Sequence, residues 1–248
     1  MNVFIGIPTN CYVILLIGRE GSGTVASDFF ALNLSVAEIL FFPSMMLEWL
    51  LTTFLGLDTK YIRGFALGLI YAGRPVFQSC ICLERYLAVV HPLVFLRYKP
   101  FRYKVSCSGL AWVLVLGVCS TVASVSDDLR VYYYCLLSFF LVWMSVKTFC
   151  CLAVLKALKR PGPGDGDKEK DGTNSMKTKA FRIILIILLT MMVNYLPTIL
   201  IIPLIDFLPN PQYKLATTVT FSMIVATGFV QPLLYLHRAG KLPCVKRP

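Results

Sequence analysis

The chain has 248 residues, 57% of them hydrophobic and 15% charged, with a formal net charge of +11. Soluble domains carry about 25% charged residues, and here the apolar residues are gathered into long runs, so a bilayer is the natural solvent. A nucleic-acid partner is excluded with the soluble class, because it would need a basic face on a soluble domain.

Seven apolar runs follow one another, at residues 3–17, 28–52, 64–90, 107–126, 131–155, 181–205 and 215–236. Six reach the roughly 20 residues that a spanning helix needs. The first is shorter, so that helix is either truncated or sits in a thinned bilayer. The expected fold is an all-α membrane protein, a single seven-transmembrane helix bundle over residues 1–248. No run shows a charged leader and a cleavage site, so the first span is expected to act as its own signal.

Between the fifth and sixth spans, RPGPGDGDKEKDGTNSMK at 160–177 is rich in Gly, Pro and charge and reads as a flexible loop. Most Lys and Arg residues lie in the loops after the first, third and fifth spans and in the tail at 238–248, whereas the opposite loops hold Lys60, Arg63, Arg130 and Lys214. The basic side faces the cytoplasm, which puts the N-terminus outside. Most of the nine cysteines fall inside apolar runs and behave as small hydrophobes, and no extracellular disulfide is expected. Cys244, in the basic tail, is a palmitoylation candidate or an exposed thiol. The Asn33-Leu34-Ser35 sequon lies inside the second span and should be silent.

Ionisable residues inside a span are costly and mark function by default. Glu38, Glu48, Arg74, Glu84, Arg85 and Lys147 are the candidates. Glu48 and Lys147 carry no assigned role, and snorkelling to an interface is the simplest reading of both. Arg74 precedes Arg85 by eleven residues, about three helical turns, and therefore shares its inward face.

Short motifs in most spans, in the right order, make the chain resemble the rhodopsin-like, class A family of G protein-coupled receptors. Asn10 stands in the first span, ALNLSVAE with Glu38 in the second, Glu84-Arg85-Tyr86 at the end of the third, and His91-Pro92-Leu93 opens the next loop. Trp112 lies in the fourth span, NYLP with Pro197 in the sixth, and QPLLY with Gln231 and Tyr235 in the seventh. Within the family, FFALNLSVAEILF and CLERYLAVVHPL are similar to the purinergic-like branch.

The resemblance implies a plasma-membrane receptor, without cofactor, metal or enzymatic activity, that passes an extracellular ligand signal to heterotrimeric G proteins. Glu84 would hold Arg85 at rest, and outward motion of the sixth span would release it. Leu93 would pack on the G protein, Tyr235 would support the open state, and Pro197 would supply a kink, although spanning helices also tolerate proline without a role.

Some positions depart from the pattern. Glu38 replaces the usual Asp and Gln231 the usual Asn, Lys60 stands where the family has a cysteine, and Arg74 occupies a position that normally helps to bind sodium. Arg74 is expected to pair with Glu38 in place of the ion, since each charge alone would be strongly disfavoured there. The competing reading takes Arg74 as the mark of a non-signalling copy. Leu67, Tyr71, Tyr195, Ile199, Ile202 and Phe221 form the candidate ligand pocket, whose apolar lining suits a lipid-like ligand or plain core packing. Three functions compete: a signalling receptor, a degenerate receptor fold, and a transporter or intramembrane enzyme, for which the sequence offers neither an internal repeat nor a nucleophile-base pair.

Overall fold

The computed structural model describes residues 2–19, 28–98, 100–124, 129–159, 186, 189–190, 192–201, 204, 207, 210–226, 228, 232–233 and 236. Among these the regular elements are all helical: α1 (Asn2–Arg19), α2 (Phe29–Leu55), α3 (Lys60–Val90), α4 (Phe101–Ser124), α5 (Leu129–Lys159), α6 (Met192–Ile201) and α7 (Asn210–Ala226), with a short helix, Pro92–Tyr98, between α3 and α4. The protein is a multi-pass membrane protein, and α2, α3, α4 and the Tyr134–Ala157 part of α5 are each long and apolar enough to cross a bilayer. Ile202, Gln231, Tyr235, Cys244, the 160–177 loop and the tail lie outside the described residues.

Several helices begin before the apolar run that announces them. α3 starts at Lys60 instead of 64, α4 at Phe101 instead of 107, and α7 at Asn210 instead of 215. Hydropathy registers the lipid-facing length of a helix, whereas polar opening turns such as KYIR and FRYK are helical without being apolar.

The core is built around α3. Of its most apolar window 72% is buried, against 28% for α4, which places α3 inside and α4 at the periphery. Without water to drive apolar surfaces together, spanning helices associate where small residues let backbones approach. Gly64 and Gly68, one turn apart on α3, face Ala123 and Cys119 on α4. A Cβ at position 64 would lie 2.6 Å from the Ala123 Cα, and one at position 68 would lie 2.7 Å from the Cys119 Cα. Deeper along the same contact, the Trp112 indole N–H donates to the Asn33 side-chain oxygen at 2.8 Å and ties α4 to α2. Asn33 is therefore buried in a helix contact, away from any glycosylating enzyme.

α3 contains one wide turn, at Leu69–Gly73, where the Arg74 N–H bonds to the Leu69 carbonyl five residues back. Pro75 follows and has no N–H to continue the ordinary ladder, and the chain absorbs the defect as a single π turn. α2 ends at Gly56, whose φ of 60° permits the left-handed cap in which the Leu57 N–H reaches the Leu51 carbonyl at 3.3 Å.

Candidate functional site

At the level of the π turn, two opposite charges meet in the interior. Arg74 and Glu38 are 3% and 5% exposed, and the guanidinium grips the carboxylate with both prongs, Nε to Oε1 at 2.5 Å and Nη2 to Oε2 at 2.9 Å. The remaining prong, Nη1, donates to the Ile224 carbonyl on α7. The planar fork of Arg suits this role better than a point charge would. The pair ties α2, α3 and α7, and Gly228 closes over it, where a Cβ would stand 2.7 Å from Arg74 Nη2. Asn10 is buried but bonds within its own helix, to the Gly6 carbonyl at 2.8 Å.

Lys147 does not snorkel. It is 1% exposed, donates to Gln78 Oε1 at 2.9 Å, and stands 4.8 Å from the centre of the Tyr195 ring. Its place near the middle of the 31-residue α5 puts either interface out of reach of a four-carbon stem. A glutamine oxygen and an aromatic face therefore replace water around the ammonium. Glu48, near the C-terminal end of α2, is met by Arg63 at 3.8 Å and accepts from the Thr59 hydroxyl at 3.4 Å.

At the π turn, Tyr71, Phe140, Tyr195 and Phe221 gather. Tyr71 meets Phe140 at 5.6 Å and Phe221 at 6.3 Å between ring centres, and Phe140 meets Tyr195 at 5.2 Å. Ile199 packs on the same cluster. Of the candidate lining residues the structure thus unites Tyr71, Tyr195, Ile199 and Phe221. Leu67 is half-buried and stays outside the described core clusters. It lies beyond the π turn, whose extra residue rotates the outer part of α3 relative to a regular helical count.

The C-terminal end of α3 is arranged differently from the expectation. Glu84 is engaged by Lys104 of α4, and Arg85 points to Asp28 at the start of α2, 3.6 Å away. Neighbours in sequence diverge by about 100° around a helix, so Glu84 and Arg85 face different partners rather than each other. The Tyr86 hydroxyl lies 3.0 Å from Nε2 of His91. On the short helix beyond, Leu93 is 82% exposed, an apolar side chain offered outward. Pro197 sits half-buried within α6.

The model of the 7 transmembrane receptor (rhodopsin family) matches residues 9–132, half of the chain. The chain belongs to the rhodopsin family of receptors. The matched part contains Asn10, Glu38, Arg74, the Glu84-Arg85-Tyr86 triplet, Leu93 and Trp112, so the charged core and the C-terminal end of α3 both lie within it.

Three features of the receptor's interior escape a reading by motif. Phe140 joins the aromatic cluster from α5, which carries no recognised pattern. Gly228 matters for the side chain it lacks. Gly64 and Gly68 do carry a legible signal, small residues four apart in a spanning helix. Among the described residues no group of three or more His, Cys, Asp or Glu is placed to hold a metal ion.

Proposed function

We propose that this receptor carries an extracellular signal to heterotrimeric G proteins, from the plasma membrane, through outward motion of α6 in a seven-helix bundle with its N-terminus outside. The observation that carries the reading is the state of Arg85. With Glu84 committed to Lys104, Arg85 is 36% exposed and its contact with Asp28 is long, 3.6 Å. Such a pair contributes about 0–1 kcal/mol, a hold that a modest population shift can release. Leu93 supplies an apolar contact for the G protein beside it, and Pro197, Gln231 and Tyr235 serve the motion of the last two spans.

In this reading the Arg74–Glu38 pair takes over the work of an interior cation, fastening α2 to α3 and α7. The ligand is largely apolar and is received by Tyr71, Tyr195, Ile199 and Phe221, with Leu67 and Ile202 at the margin. The test is guanine-nucleotide exchange on purified heterotrimeric G proteins by the full chain in lipid bilayers. Basal exchange by the wild type that Arg85→Ala abolishes supports signalling; equal rates from the two proteins contradict it.

A second reading is favoured by a specific observation, the three-way clamp of Arg74 on Glu38 and on the Ile224 backbone. A bundle pinned at its centre is a receptor fold that binds without signalling. No exchange by the wild type with any G-protein class, in a protein that reaches the cell surface, selects this reading.

A further inference from the structure

Nothing in the receptor reading uses the thiols of α3. Cys80 and Cys82, two residues apart, point to opposite sides of the helix. Cys80 interacts with Cys107 of α4, while Cys82 meets Cys151 of α5 with the sulfurs 4.0 Å apart. Both members of the second pair are buried, and Cys150 and Tyr86 pack around them.

The two thiol pairs differ in their electrostatic surroundings. Lys147 stands one turn before Cys151 on the same face of α5, and Arg85 follows Cys82 by three residues on α3. The charged neighbour of Cys80 is instead the carboxylate of Glu84. Thiol oxidation begins with negative charge developing on sulfur, and nearby cations favour that step while an anion opposes it.

We propose that Cys82 and Cys151 are a hydroperoxide-oxidised pair that closes to a disulfide between α3 and α5. One thiol, having given up its proton, attacks the hydroperoxide; a sulfur–oxygen bond forms, the oxygen–oxygen bond breaks, and the alcohol or water leaves with a proton. The second thiol displaces water from the resulting sulfenic acid and forms the sulfur–sulfur bond. Two electrons pass from the thiols to the peroxide, and a small dithiol reverses the reaction by exchange. Closing the gap from 4.0 Å to the bond length of about 2.05 Å brings the two sulfurs together across the existing contact between α3 and α5. The product ties α3 to α5 one turn from Arg85, on the cytoplasmic side, where thiols are otherwise kept reduced and such links are transient.

The experiment treats the full chain in lipid bilayers with hydrogen peroxide, blocks the remaining thiols and maps the linked peptides by mass spectrometry. The expected product joins Cys82 to Cys151 and disappears on treatment with dithiothreitol. Cys82→Ser should leave a trappable sulfenic acid on Cys151 and no link. Lys147→Gln should slow closure by about tenfold, whereas Lys147→Arg should preserve the rate. Because Lys147 is buried and its variants can misfold, Cys150→Ser serves as a second check and should leave the Cys82–Cys151 link intact. A link between Cys80 and Cys107, a link through Cys150, or full alkylation of Cys82 and Cys151 after peroxide overturns the proposal. None of these readouts involves a G protein, so the outcome is independent of whether the receptor signals.

Discussion

Arg74 and Arg85 stand on the same helix, three turns apart, and each faces a carboxylate from α2. Arg74 is sealed, bidentate and bonded a third time to backbone. Arg85 is partly exposed, and its acidic partner stands 3.6 Å away. The difference lies in solvent, not in residue type. At the centre a broken pair leaves a bare charge in a medium that cannot hydrate it, while at the C-terminal end of α3, where Arg85 is partly exposed, water replaces whatever the protein withdraws. The same chemistry thus serves as a fastener in one place and as a loose, partly exposed contact in the other.

The comparison is broken most severely by Arg74→Ala, which strands Glu38 and should cost about 3–5 kcal/mol of stability. Arg74→Ala with Glu38→Ala removes both charges and should recover a large part of that loss in thermal unfolding; equal losses from the two proteins would refute the pairing. Gly228→Ala tests the same site from above. Its methyl would stand 2.7 Å from Arg74 Nη2, and the crowding should cost about 1–3 kcal/mol, with the effect absent when Arg74 is already alanine. Trp112→Phe keeps the ring but strands the buried oxygen of Asn33, a loss of about 1 kcal/mol visible as a lower unfolding temperature. Asp28→Asn sharpens the contrast at the other end. It should change stability by no more than about 1 kcal/mol and yet raise basal nucleotide exchange, and an unchanged basal rate would mean that Asp28 does not restrain Arg85.

The sequence made the core pair legible because two constraints acted together, the cost of each charge alone in lipid and the three-turn spacing that puts Arg74 and Arg85 on one face. Between Arg74 and Arg85 the helix is regular, so counting residues works. Before Arg74 the π turn shifts the count, and Leu67 is the candidate residue that lies beyond it. The opposite partners of Glu84 and Arg85 were not legible, because they depend on Lys104 being part of a helix whose first turns are polar. Lys147 was illegible for a related reason: hydropathy counts a charge but cannot see the Gln78 and Tyr195 that receive it.

The glycine seam between α3 and α4 limits what can move. Where an added methyl would overlap a neighbour's backbone, the two helices cannot slide or roll past each other without opening a void. They behave as one stiff plank, pegged to α2 by Trp112 and Asn33. The seam lies in the first turns of α3 and stiffens that end alone; towards Arg85 the same helix packs on α5 instead, where Gln78 receives Lys147 and Cys82 meets Cys151.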